Sequence, residues 1–119
     1  MIVAVAVEPT GMVGHSWGKA ETVAVATVES GAVTGWQEFA VGWDVSHDAG
    51  SHGGHHARVV TLLREHAVQA VVVDHVGDGM RRMLGAMGLA LHEGVTGDAR
   101  LAAVAAAAGA APARSTEAD

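Results

Sequence analysis

Apolar and polar positions divide the first part of the chain into three extended stretches. Ile2–Val7 and Thr22–Glu29 place β-branched residues at alternating positions, a pattern that predicts two strands. Residues 12–20 between them are punctuated by glycine and predict a loop. Ser30 and Gly31 form a short turn signal, so residues 32–41 are predicted to return beside the second strand. The pattern therefore predicts an antiparallel meander of three strands.

Helical and extended patterns alternate in the second part. A helix is predicted over residues 54–67, with His56, Val59 and Leu63 on its apolar face. The continuous apolar run at 70–74 predicts a strand that is buried on both faces. A short helix over 78–87, a strand over 89–92 and a last helix over 97–108 follow.

Punctuation residues suggest where these elements begin and end. Asp78 is predicted to cap the second helix and Gly88 to end it. Thr96 is predicted to cap the last helix, with Asp98 in its first turn. Residues 42–54 are rich in Gly, Ser, Asp and His without periodicity, and they predict a long functional loop.

The order of elements is β-β-β-α-β-α-β-α, which indicates an α/β fold. Helices that alternate with strands favour parallel pairing by right-handed crossovers, whereas the meander is antiparallel. We therefore predict one three-layer domain over residues 1–108, with a mixed five-stranded sheet between helices. Residues 109–119 contain small and charged residues and are predicted to form a flexible C-terminal tail.

Composition removes several classes of function. The 119 residues include no cysteine, which excludes disulfide scaffolds, thiolate zinc sites, cysteine nucleophiles and cysteine-ligated iron–sulfur clusters. The formal net charge of −6 argues against nucleic acid as the main partner. Histidine is the unusual component, since eight histidines outnumber the seven lysines and arginines together. Their imidazoles are the expected ligands or titrating groups.

The sequence also gives an expectation about location. No stretch approaches the roughly 18 apolar residues of a membrane span. The apolar start lacks a basic flank and meets Glu8 and Pro9 too early for a signal peptide. We therefore expect a cytoplasmic protein that does not bind membranes.

The densest group of candidate ligands lies in the predicted long loop and at the start of the helix after it. Neutral imidazole suits Zn, Cu, Ni and Fe, and a helix N-terminus favours an anionic ligand. A solvated loop with incidental histidines is the alternative. The metal-ligand candidates in this group are His47, His52, His55 and His56.

A second group follows two predicted strands. His15 comes after the first strand, and His75 and Gly77 come after the fourth. If those strands are parallel neighbours, their carboxyl ends open on one edge of the sheet, where ligands bind in open α/β folds. His75 then joins the metal-ligand candidates, and His15 and Gly77 the cofactor-binding ones. Hydrogen-bonding turn histidines are the alternative.

The remaining aromatic and histidine positions are weighed in the same way. Trp17 and Trp43 lie in or beside the two loops and are predicted to wall the pocket, with core packing as the alternative. Trp36 lies on a strand and is expected in the core. His92 ends a strand and is a weaker candidate, and His66, at the far end of its helix, is not expected to be a ligand.

Several short motifs in order resemble the dinitrogenase iron-molybdenum cofactor biosynthesis family over about residues 2–108. The family's His-aromatic-Gly-basic-Ala motif resembles residues 16–20, Ser-Trp-Gly-Lys-Ala. Its Gly/His loop, which leads into a helix with paired leucines, resembles residues 52–63, and its strand-Gly-helix stretch resembles residues 71–88. The family's loop histidine aligns with Ser16, one residue after His15, so either residue can stand for it.

The resemblance implies a ribonuclease-H-like fold and a protein that carries a metal centre. It adds Gly53 and Gly54 to the cofactor-binding candidates. The implied cofactor is an iron–sulfur or iron-molybdenum type cluster, or otherwise a divalent metal bound by histidine. The implied partner is a protein that donates or accepts the metallocluster, and a homo-oligomer is possible. Because many family members occur without nitrogenase, a cluster or metal carrier is implied more strongly than a nitrogenase factor.

Three functions from different classes follow. The first is a non-catalytic carrier that holds a metal centre through imidazoles and delivers it to a partner. The second is a metal-free interaction module whose histidines respond to pH. The third is a histidine-metal hydrolase, which is disfavoured because Glu8 and Asp74 are the only acids at suitable strand ends.

Overall fold

The computed structural model describes residues 1–44 and 52–109, with His52 and Gly53 described by their backbone alone. No helix within these residues is both long enough and apolar enough to cross a membrane. The five strands are β1 Ile2–Val7, β2 Thr22–Glu29, β3 Ala32–Phe39, β4 Ala70–Val72 and β5 Ala90–His92. The helices assigned within the described residues are α1 His52–Glu65, α2 Asp78–Ala86 and α3 Ala99–Ala107.

The strands form one mixed sheet in the order β3-β2-β1-β4-β5. β1 pairs antiparallel with β2, and β2 pairs antiparallel with β3, which confirms the predicted meander. β1 and β4 are parallel neighbours, and β5 lies parallel to β4 at the far edge. The predicted α/β class, element order and mixed five-stranded sheet are confirmed.

Alternation of Val and Ala along β1 explains how helices pack on both faces. Val3, Val5 and Val7 point to one face and Ala4 and Ala6 to the other, as the two-residue period of a strand requires. The valine face contacts an α3 surface made of three buried alanines, so small residues oppose large ones. That surface consists of Ala99, Ala103 and Ala106.

The alanine face of β1 packs under the larger side chains of the molecule. Trp17 and Leu63 in this layer are 0% and 1% exposed, and Met80 and Leu84 of α2 are buried with them. Deep burial of a tryptophan over a strand is possible because Ala4 and Ala6 leave the space that longer side chains would fill. The sheet therefore lies between α1 and α2 on one side and α3 on the other, which confirms the three layers.

Helix ends differ from the prediction for local reasons. α1 ends at Glu65, and Ala67 takes a left-handed conformation with φ of 53°. The Ala67 N–H donates to Arg64 O (3.2 Å) and the Val68 N–H to Leu63 O (3.0 Å), the hydrogen bonds of a Schellman motif. Because alanine normally avoids this conformation, the sequence predicted a helix two residues too long.

Two predicted helix caps are also wrong. Asp98, and not Thr96, caps α3, since its side chain accepts from the Leu101 N–H at 3.0 Å. Asp78 is the first residue of α2 and Gly77 is its N-cap, without a side-chain cap hydrogen bond. Asp78 is instead paired with Arg81 one turn along the helix.

The predicted loop and tail are described only in part. Residues 45–51, which include His47, and residues 110–119 lie outside the described residues, so the predicted tail stays a prediction. Within α1, the prediction that His56 lies on the buried face is wrong. His55 is the buried residue, at 3% exposure, in line with Val59 and Leu63 four and eight residues further on.

Candidate functional site

The segment after β1 and the segment after β4 remain paired beyond the ends of their strands. The His75 N–H donates to His15 O (2.8 Å), and the Trp17 N–H donates to His75 O (3.0 Å). Ser16 and His75 form an isolated parallel bridge. These bonds extend the β1–β4 pairing and bring the two histidines together at the carboxyl edge of the sheet, the arrangement expected if β1 and β4 were parallel neighbours.

The imidazoles of His15 and His75 are stacked and both are exposed. Their ring centroids are 5.8 Å apart, and the ring planes differ by 13°. The His15 side chain is 77% exposed. Two rings that share one exposed edge offer nitrogen ligands to a group approaching from solvent.

Asp74 orients the His15 ring. Its Oδ2 atom lies 3.0 Å from His15 Nδ1, and its side chain is 31% exposed. A carboxylate only accepts hydrogen bonds, so in the neutral ring His15 Nδ1 carries the proton and Nε2 keeps its lone pair. This is the carboxylate–histidine arrangement that fixes the tautomer of metal-binding histidines. Sequence reasoning missed this role, although Asp74 follows a buried strand and directly precedes His75.

Arg81 stabilises the segments that follow β4 and β5. Its Nε and Nη2 atoms donate to the two carboxylate oxygens of Glu93 at 3.0 and 2.7 Å, and Nη2 also donates to Val76 O at 3.1 Å. Hydrogen bonds to Glu93, and then to Asp78, raise the pKa of Arg81 further above its usual range. The Gly94 N–H donates in turn to Asp74 O (2.9 Å). The guanidinium therefore ties the segments after β4 and β5 to α2.

Two cavities flank the segment that follows β1. One, of about 330 Å³, is lined by His15, Ser16, Lys19, His75 and Gly77. The other, of about 290 Å³, shares the first three of these residues and extends to Glu8, Glu21 and Asp44. His15 and Ser16 thus line the same cavities, so both candidates for the family's loop-histidine position face one site. Lys19 also lines both cavities, although the sequence analysis named it only as part of the family motif.

The start of α1 lies against the segment after β1 and the first turn of α2. A Cβ atom on Gly18 would be 3.7 Å from His55 Nε2, and one on Gly79 would be 3.7 Å from His56 Cε1. The His55 and His56 ring centroids are 6.0 Å apart. His55 is buried edge-on against Trp43, with ring centroids 6.2 Å apart, which places it in the core.

The remaining candidates have different surroundings. Trp17 and Trp43 are 0% and 2% exposed and form a T-shaped pair with ring centroids 5.3 Å apart. Trp17 is absent from the linings of the described cavities, and Trp43 lines a separate groove of about 430 Å³ beside α1. His66 packs on Phe39 at the far end of α1, and half-buried His92 ends β5.

The donor set fits a loosely held metal group. Among residues 1–44 and 52–109 no three His, Asp or Glu side chains are placed to hold a metal ion. The structure instead brings two exposed imidazoles together, with one carboxylate already engaged by His15. His47 and the side chain of His52 lie outside the described part of the chain, and Gly53 is described by its backbone alone. Two imidazoles can anchor a metal that keeps other ligands of its own.

Comparison with known proteins agrees with the fold and the motifs. A sequence profile of the family described as dinitrogenase iron-molybdenum cofactor matches residues 1–109. The chain belongs to this family. No curated protein sequence matches the chain.

Solved structures share the fold of this family member. The apo form of the orange protein from Desulfovibrio gigas is 20% identical, with a TM-score of 0.73 over 93% of this chain and 90% of that one. PH0822 is 18% identical, with a TM-score of 0.68 over 92% and 91%. A putative dinitrogenase from Methanocaldococcus jannaschii is 11% identical, with a TM-score of 0.56 over 78% and 74%. At these identities the likeness shows the fold alone, and the ribonuclease-H-like classification stays a prediction.

Proposed function

We propose that this protein is a non-catalytic carrier of a metal centre, held at the carboxyl edge of β1 and β4 and passed to a partner protein. The cargo is an iron–sulfur or iron-molybdenum type cluster, or a metal ion ligated by histidine. Family membership supports the class of cargo. The observation that carries the proposal is the stacked, exposed pair of His15 and His75, with Asp74 orienting one ring.

The two-imidazole anchor suits delivery better than permanent storage. A chain without cysteine offers no thiolate, the ligand that holds iron–sulfur clusters most firmly. Exposed rings at a sheet edge leave the outer side of the cargo accessible to an acceptor. The cargo is therefore expected to arrive and leave with most of its own ligands, exchanging only the positions that the imidazoles occupy.

The setting of the cargo follows from the same chemistry. A metallocluster donor or acceptor protein is the expected partner, in the cytoplasm, with no role for nucleic acid or membranes. His47 and His52 are additional candidate ligands, and His52 is the first residue of α1. His56, Gly54 and Gly77 lie at helix starts near the loops, where free N–H groups favour an anionic cargo.

Anaerobic purification with elemental analysis and an absorption spectrum tests the proposal. The wild-type chain should carry, or take up on reconstitution, about one metal centre per chain, and the His15→Ala/His75→Ala variant should lose it. His66→Gln is the matched control, because His66 lies beyond the other end of α1, roughly 20 Å along the helix. A metal-free wild-type chain that takes up neither a cluster nor a divalent ion would refute the carrier function. Oligomerisation that changes between pH 5 and 8 in such a chain would favour the pH-responsive module.

A further inference from the structure

Lys19 is the only lysine in the chain, and it lies at the histidine site. It is exposed and lines both cavities that flank the segment after β1. Among residues 1–44 and 52–109, no carboxylate lines the 330 Å³ cavity that holds His15 and His75. The Lys19 ammonium is the one permanent charge that these residues place on its wall.

Two neighbouring acids are paired with other side chains. Asp74 contacts the His15 ring, and Asp78 is paired with Arg81. Glu8, Glu21 and Asp44 line the second cavity, which shares His15, Ser16 and Lys19 with the first. Lys19 therefore places a cation beside His15 in both cavities, within a chain whose net charge is −6.

We propose that Lys19 makes the histidine pair selective for metal species with net negative charge over bare divalent cations. The inference rests on the proposed function and names the charge class of the cargo. A cationic side chain beside two neutral imidazoles repels a bare dication and attracts an anionic complex of the same metal. Between partly exposed groups such an interaction is worth up to about 1 kcal/mol, or about a fivefold change in affinity.

Nickel offers two probes that differ in charge and share the same metal. Hydrated Ni²⁺ is a dication, whereas nickel nitrilotriacetate is an anion that keeps two coordination positions open, enough for two imidazoles. Calorimetric titration of both probes gives a ratio of dissociation constants for each variant. Lys19→Gln should weaken binding of the anionic complex by about twofold to fivefold and leave Ni²⁺ binding equal or tighter. Higher ionic strength should reduce the difference between wild type and variant.

Arg64→Gln is the matched control for net charge. Arg64 is exposed in the last turn of α1, away from the site, and its loss changes the formal charge by the same amount. This control should leave the ratio of the two affinities unchanged. If Lys19→Gln leaves the ratio unchanged while both probes still bind, selectivity by Lys19 is refuted and the carrier function stands. If neither probe binds the wild-type chain, the histidine site itself is refuted.

Chemical footprinting gives an independent readout. Acetic anhydride can modify only two amines in this chain, Lys19 and the amino group of Met1. Met1 donates to Val28 O at 2.8 Å, at the opposite end of β1, roughly 20 Å from the site. Nickel nitrilotriacetate should slow acetylation of Lys19 at least threefold and leave the Met1 amine unaffected. Equal rates at Lys19 with and without the complex would contradict the proposal.

Discussion

Asp74→Asn separates the orientation of the His15 ring from its presence. The carboxylate that contacts His15 Nδ1 at 3.0 Å is replaced by an amide of nearly the same shape. An amide accepts through its oxygen or donates through its nitrogen, so both ring tautomers become acceptable. In the second tautomer the proton sits on Nε2, the nitrogen that the structure leaves available for a metal.

The expected effects on stability and on binding differ in size. The His15 and Asp74 side chains are 77% and 31% exposed, and exposed pairs of this kind contribute about 0–1 kcal/mol to the free energy of unfolding. Removing the carboxylate partner of a metal-binding histidine costs about tenfold to a hundredfold in metal affinity. Asp74→Asn should therefore unfold at nearly the wild-type urea concentration while its nickel affinity falls at least tenfold.

Nickel nitrilotriacetate is the better probe for this variant, because charge and orientation then act in opposite directions. Loss of a negative charge alone would tighten binding of an anion, whereas loss of ring orientation weakens it. The Asp74→Asn substitution should weaken binding in the wild-type background. In a His15→Ala background only the charge effect remains, so the same substitution should leave binding of the anion equal or tighter. Tighter binding in the wild-type background, or an equal loss in both backgrounds, would refute the role assigned to Asp74.

Three further predictions concern the scaffold around the site. Ala67→Gly should raise the free energy of unfolding by about 1 kcal/mol in a urea titration, because glycine adopts the left-handed conformation without the steric strain of a Cβ atom. Gly88→Ala, at the equivalent position after α2 with φ of 76°, should lower the free energy of unfolding by a similar amount. Asp98→Ala should cost about 0.5–2 kcal/mol in that assay by removing the α3 cap, and no change would contradict the capping role. Arg81→Lys should lower nickel affinity severalfold, since lysine cannot make both hydrogen bonds to the Glu93 carboxylate. An unchanged affinity by calorimetry would show that the Arg81–Glu93 contact does not position the histidine pair.

The sheet was predictable because its strands carry strong periodic signals. Ile2–Val7 alternates between β-branched residues and alanine, and residues 70–72 are apolar throughout, and both strands are buried on both faces. The parallel pairing of β1 and β4 was only a condition at the sequence level, and the structure supplies it together with the meeting of His15 and His75. The pairing is what turns two separate loop histidines into one candidate site.

Features that depend on tertiary contact were not predictable in the same way. The end of α1 at Glu65 has no glycine signal, because Ala67 takes the left-handed conformation, and hydrogen bonds to Arg64 O and Leu63 O close the helix end. His55 and His56 are adjacent, and only the angular position of α1 decides which one is buried. The roles of Asp74 and Arg81 depend on neighbours 59 and 12 residues away along the chain.

Nuclear magnetic resonance of the imidazole nitrogens tests the central claim most directly. Wild-type chain labelled with ¹⁵N at histidine is titrated with Zn²⁺, which is diamagnetic and replaces nickel for this purpose, and then with zinc nitrilotriacetate. The signals of each ring are assigned by single His→Gln substitutions. We predict that the Nε2 signal of His15 and a ring nitrogen of His75 shift first and together, while His66 and His92 stay unchanged. Shifts confined to His47 and His52, with His15 and His75 unaffected, would contradict a cargo site at the carboxyl edge of β1 and β4.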